Sequence, residues 1–150
     1  MVEDEIEKVE VRGIYLAETP DGSAPVVILQ NDEFVLPIYI GVSEAMAIHS
    51  ALEKEVPPRP MTHDLFISVL EGLNVSLSQV IIDDLEEGIF YARLILDCGG
   101  SKKEFDARPS DSIALALRTN ASIFVARSVI EKAGIPRDEF DDMRDRYFEI

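Results

Sequence analysis

The 150-residue sequence has no tryptophan, two histidines and one cysteine. A lone thiol, Cys98, excludes an internal disulfide and every zinc site built on paired cysteines, and no role is assigned to it. Apolar runs such as "VVIL" and "SIALAL" fall far short of the roughly 20 residues that a membrane helix requires. The opening "MVEDEIEK" is acidic rather than signal-like, so the expected compartment is the cytoplasm, without membrane contact. Basic residues are scarce too: 14 Lys and Arg against 29 Asp and Glu leave a net charge of −15. That balance opposes long-range attraction of DNA, RNA or an anionic membrane. There is no glycine-rich phosphate loop, no GxSxG elbow, no EF-hand spacing and no basic-aromatic platform for nucleic acid.

What is present is enough for one domain with a real core, 47% of the residues being hydrophobic. The acid is spread through "VEDEIEKVE", "IIDDLEEG" and "RDEFDDMRDRYFEI", as on a solvated surface. Sliding the chain along itself by 67 positions lays "SEAMAI" on "SDSIAL", Ser43 on Ser110, and Ile28-Leu29 on Ile95-Leu96. The two halves read as copies of one strand-strand-strand-helix unit sharing a core. In the first copy, strands are predicted near Val9–Leu16, Val26–Gln30 and Phe34–Ile40, with Pro37 marking an edge or a bulge. A helix follows from Ser43, as N-cap, to about Lys54, with Ala45, Ile48 and Leu52 on one face and His49 at the core margin. The second copy has strands near Val75–Asp83, Ile89–Leu96 and Lys102–Ala107, the last two joined by the turn "DCGGS". Its helix runs from Ser110 to Arg118 and is apolar nearly all round.

Between the copies, Pro57, Pro58 and Pro60 make a stiff connector, and Thr62 is placed to cap a helix that ends near Gly72. After the second copy, "SIFVA" reads as a strand and Arg127 to Ala133 as a short helix. The acidic tail carries Phe140, Met143 and Tyr147 at helical spacing. The expected fold is therefore α+β: a mixed sheet from a duplicated unit, with extra helices packed on it, in a single domain over 1–150. The amphipathic tail and the edge at Pro37 also suggest a homo-oligomer, most simply a two-fold dimer.

Three stretches carry candidate chemistry. In "DARPSDSIALAL", Pro109, Ser110 and Asp111 suit a helix start, where free N–H groups and a partial positive charge favour an acid. Capping does not require Arg108 or Asp106. They form either a plain ion pair with Asp111 that fixes the turn, or a site in which Arg108 stabilises a phosphate while Asp106 and Asp111 hold a divalent cation or a water. In "THD", His63 lies in the first helical turn beside Asp64; an imidazole titrates near neutrality, so His63 is either a surface group or a general acid or base. In "IIDDLEEG", Asp83 and Asp84 point to opposite faces of a strand, so at most one enters a given site, and the metal signal is weak.

The motifs "VLPIYIG", "PPRPMTHDL", "VIIDDLEEGIFYARL" and "DARPSDSIALAL", in that order, resemble the bifunctional nuclease domain family over about residues 9 to 133. The resemblance implies a mixed α/β domain and, from plant members, a nuclease acting on both DNA and RNA. The family's recurrent polar positions fall on Glu44, His63, Asp64, Asp83, Asp84, Asp106, Arg108, Ser110 and Asp111. The acidic tail after about Arg137 lies outside it. Combined with the residue chemistry, it implies phosphodiester hydrolysis: Mg²⁺ or Mn²⁺ on Asp106, Asp111 and Glu44, Arg108 stabilising the transition state, and His63 moving a proton. Asp64, Asp83, Asp84 and Ser110 would support that site. The alternative is a non-catalytic ligand-binding or assembly module whose polar residues are structural. The lack of a basic surface stripe favours it.

Overall fold

Alternating β-branched runs separated by tight turns pair as hairpins, and a computed structural model describing residues 5–150 shows how they join. The first copy comprises β1 (Ile6–Thr19), β2 (Gly22–Gln30), β3 (Phe34–Tyr39) and α1 (Val42–Leu52). The proline connector then leads into α2 (Thr62–Gly72). The second copy comprises β4 (Ser76–Glu86), β5 (Ile89–Cys98), β6 (Ser101–Ala107) and α3 (Pro109–Thr119). β7 (Ser122–Ala126), α4 (Arg127–Ala133), β8 (Ile135–Pro136), α5 (Arg137–Asp142), a 3₁₀ turn (Arg144–Arg146) and β9 (Tyr147–Glu149) complete the described chain.

The duplication is visible in the hydrogen-bond register. The hairpin pair Thr19↔Gly22 recurs as Glu86↔Ile89, and Val26↔Tyr39 recurs as Arg93↔Asp106, each displaced by the offset that carries Ser43 onto Ser110. Ser43 and Ser110 occupy the same place, the second residue of α1 and of α3. The β5–β6 turn shows why "CGG" stands where it does: Gly99 and Gly100 have φ of 69° and 96°, which side chains rarely adopt.

The strands form one mixed sheet in the order β6-β5-β4-β7-β1-β2-β3-β8. The β4–β7 pair is parallel, because α3 crosses between β6 and β7, and the other pairs are antiparallel. The long β1 pairs with β7 through Ile6–Val9 and with β2 beyond Glu10, which welds the two copies together. α1, α3 and α4 lie against one face, and α2 packs on α3. Their buried side chains, among them Ile48, Ile113, Leu115 and Val129, meet Val27, Leu36, Val80, Ile82 and Leu94 of the sheet in the main core. The other face of the first copy is covered by the C-terminal segment, where Phe140 packs against Tyr15, Val26, Ile28 and Val35.

Two expectations are corrected. The predicted caps Ser43 and Thr62 lie inside their helices, as does Ser110; the N-cap positions are Gly41, Met61 and Arg108, each extended, and in α2 the Asp64 carboxylate reaches back to the Met61 N–H. Pro109 explains one case, since a proline at the first helical position holds the residue before it in extended geometry. The tail is not one amphipathic helix. α5 stops at Asp142 and the chain returns as β9 beside Tyr15–Ala17 of β1, so the rings of Phe140 and Tyr147 meet at 5.0 Å from a helix and a strand. Pro37 sits on the stretch of β3 beyond β8, which pairs only with Phe34 and Val35, so its missing N–H leaves no ladder bond unmade.

Candidate functional site

The helix starts of α1, α2 and α3 converge, because α3 packs against both of the others. Asp111, in the first turn of α3, is the hub. Its Oδ1 lies 2.9 Å from Nε2 of His63 on α2. Nε of Arg108 donates to its Oδ2 at 3.0 Å, and an Arg108 Nη donates to its Oδ1 at 3.3 Å. The other Nη of Arg108 donates to Oε1 of Glu44, in the first turn of α1, at 3.2 Å. Residues widely separated in sequence thus share one charged cluster at three helix starts.

Exposure differs within it. The side chain of His63 is 18% exposed and that of Arg108 63%, so the imidazole is sheltered while the guanidinium faces water. Burial pushes the Asp111 carboxyl up, but the hydrogen bonds and charges of Arg108 and His63 outweigh it and hold the group below the usual carboxylate range. The same bonds to Asp111, then Glu44, raise the Arg108 pKa above the ordinary guanidinium value. An ionised carboxylate only accepts. Nε2 of His63 therefore carries the proton shared with Asp111, which in the neutral imidazole leaves the lone pair on Nδ1.

The remaining candidates stand elsewhere. Asp106, on β6, is exposed and opposite Arg93 of β5, and it makes no hydrogen bond or ion pair with the His63 cluster among the described residues. Asp83 lies 2.9 Å from Nε of Arg93, whose N–H is not aimed at it, so the contact is an ion pair rather than a hydrogen bond. Burial pushes the Asp83 carboxyl up in spite of that cation. Asp84 accepts from the backbone N–H of Leu85 at 2.8 Å. Ser110 is buried in α3. His49 is half-buried, 3.9 Å from Glu53. Glu44, Asp106 and Asp111 do not gather as a ligand set: among the described residues no three His, Cys, Asp or Glu side chains come together to hold a metal ion.

Asp64 takes a different part from its neighbour His63. Its Oδ2 accepts from the N–H of Met61 at 3.0 Å and its Oδ1 from Nε of Arg118 at 2.9 Å. Arg118 was not singled out in the sequence. It also donates to the carbonyls of Ala114, at 2.9 Å, and of Ala47 on α1, at 3.2 Å, so one side chain ties three helices together beneath the cluster. The signal available was weak, a single cation on an otherwise apolar helix, and its partners come from distant segments.

A family model described as bifunctional nuclease domain matches residues 26–138. An uncharacterized protein of Mycobacterium tuberculosis is 44% identical over 137 residues, which is 89% of this chain and 81% of that protein. Bifunctional nuclease 1 of Oryza sativa subsp. indica is 27% identical over 121 residues, or 75% of this chain and 37% of the rice protein. The bifunctional nuclease of Oryza minuta matches to the same extent.

Proposed function

This chain belongs to the bifunctional nuclease domain family, and from that premise we propose that its His63–Asp111–Arg108 cluster hydrolyses phosphodiester bonds of DNA, RNA or both. The observation that carries the reading is the 2.9 Å contact between His63 and Asp111 with Arg108 on the same carboxylate. In the proposed reaction, Nδ1 of His63 takes the proton of the attacking water as its oxygen bonds to phosphorus, Asp111 stabilises the imidazolium that forms, and the P–O bond to the leaving oxygen breaks, that oxygen taking its proton from solvent. Arg108 has five N–H donors, of which Nε and one on each Nη are engaged. The side chain is 63% exposed, so the two remaining can clamp a phosphate, offsetting the charge that builds on its oxygens in the transition state.

A divalent cation on Glu44, Asp106 and Asp111 does not fit the residues as arranged. The Arg108 guanidinium bridges Glu44 and Asp111, and Asp106 stands apart. An ion acting here would require Arg108 to leave a carboxylate. Cytoplasmic location belongs to the same proposal; among the described residues no helix is long and apolar enough to cross a membrane.

A second reading, a non-catalytic assembly module, is favoured by α2. None of its residues is buried, and Leu65 and Val69, with Leu73 just past its end, form an exposed stripe at 56%, 50% and 67%. Such a stripe is where a second copy would pack to form a homodimer.

The test is cleavage of plasmid DNA and single-stranded RNA by wild type, His63→Asn and Arg108→Gln, each with EDTA, Mg²⁺ or Mn²⁺. The proposal expects wild-type cleavage that survives EDTA and falls by about 10²-fold or more in His63→Asn. Equal cleavage by wild type and His63→Asn, the mark of a contaminating nuclease, would overturn it, as would an inactive wild type.

A further inference from the structure

A cavity of about 170 Å³ lies between β1 and the C-terminal segment, on the sheet face opposite the helices, lined by Arg12, Tyr15, Phe140, Arg144, Tyr147 and Glu149. None of the six falls within the stretch that the family model matches. We propose that this cavity binds a free α-amino acid with an apolar side chain. Its carboxylate would lie on Arg12 and Arg144, its ammonium on Glu149 and its side chain against the ring of Tyr147.

The argument begins with charge. In a chain with twice as many acids as bases, neither Arg12 nor Arg144 has a carboxylate partner within ion-pair distance among the described residues. Arg12 is half-buried, its guanidinium lies 5.1 Å above the Phe140 ring, and it donates to the neutral Oε1 of Gln30 at 3.4 Å. A guanidinium so held keeps N–H groups for a carboxylate, which it matches in bidentate geometry. On the other side, Tyr15 donates its hydroxyl to Oε2 of Glu149 at 2.8 Å, which fixes that carboxylate and leaves Oε1 to accept. Burial and then Glu149 raise the Tyr15 pKa, so the phenol stays a donor at neutral pH.

Size and walls narrow the ligand. The volume equals that of roughly five or six liquid waters, room for an amino acid and too little for a nucleotide. Phe140 is buried beneath Arg12, but the ring of Tyr147, 5.0 Å from it and tilted by 41°, is only half-buried and supplies an apolar wall. Two cations, one anion and an apolar wall together complement a zwitterion with a hydrocarbon tail. An inorganic anion would leave Glu149 and the Tyr147 ring unused.

Titration calorimetry on the full chain tests this with L-leucine and L-phenylalanine as probes. The expected result is a Kd at or below about 1 mM. Isocaproate and isoamylamine, which lack the ammonium and the carboxylate of leucine respectively, are expected to bind at least about tenfold more weakly. Glu149→Gln and Arg144→Gln, both at exposed positions, are expected to weaken leucine to a similar degree while the far-UV circular dichroism is unchanged. Arg12→Lys gives a third reading if either variant fails to fold. Absence of saturable heat with both amino acids would overturn the proposal. So would isocaproate binding as well as leucine, or variants that fold and bind like wild type.

Discussion

Replacing Arg118 with methionine should cost the protein about 2–3 kcal/mol, and the structure shows where that figure comes from. The side chain is 12% exposed, and methionine matches most of its apolar length. What disappears is a charge-assisted bond to Asp64 at 2.9 Å and a bond to the Ala47 carbonyl at 3.2 Å. Hydrogen bonds to charged groups contribute about 1.5–3 kcal/mol and neutral ones about 1 kcal/mol. The Ala114 carbonyl belongs to α3 and keeps its helical partner, so its loss adds little. Asp64 is 30% exposed and retains the Met61 N–H, so water replaces part of what Arg118 supplied, which keeps the cost below the 3–5 kcal/mol typical of a fully buried broken pair. For a chain of this size the melting temperature should fall by about 5–10 °C.

The pH dependence supplies an independent check. Burial opposes ionisation of Asp64, but the bonds from Arg118 and Met61 outweigh it and hold the group below its ordinary value of 3.8. A depressed folded pKa contributes stability that is present above 3.8 and is lost as pH falls through the folded value. Urea titrations at neutral pH and across the acid range should show wild type losing stability steeply below about pH 4, and Arg118→Met losing less. A second variant, Asp64→Asn, closes a double-mutant cycle with an expected coupling of about 1 kcal/mol or more. An Arg118→Met protein within about 0.5 kcal/mol of wild type, or with an unaltered acid slope, would refute the reasoning.

Arg108→Gln should lower phosphodiesterase activity while shifting stability by no more than about 1 kcal/mol, since Arg108 is 63% exposed and its ion pairs are screened; parallel activity and melting measurements separate the two effects. Phe140→Ala should cost about 3–5 kcal/mol, because the ring is 1% exposed at the centre of the second core, and urea unfolding reads it directly. Leu65→Lys together with Val69→Lys should leave the fold intact and dissociate any dimer formed through α2, seen as a halved mass in light scattering; an unchanged mass of a dimeric wild type would place the contact elsewhere.

Up to Ala133, the sequence by itself determined the strands, the helices and their duplication. Those depend on local periodicity, turn chemistry and an internal offset, and each is written over short stretches of chain. That "THD" and "ARPSD" put polar groups at helix starts was legible as well; that the two starts meet follows from the packing of α2 on α3. Only tertiary structure decided which acid joins that cluster. Asp106 and Asp111 flank Arg108 in sequence, yet Asp106 lies on the exposed strand β6 beside β5, while Asp111 turns with α3 toward α2. Glu44 enters because α1 packs on α3, and Arg118 because its length spans the gap between three helices. The tail misled for a related reason. Phe140 and Tyr147 share a helical spacing, but the unfilled edge of β1 and the uncovered face of β2 reward a strand and a short helix more than one continuous helix on the surface. Strand edges and uncovered sheet faces exist only once the sheet has formed, so no local pattern in the tail could record them.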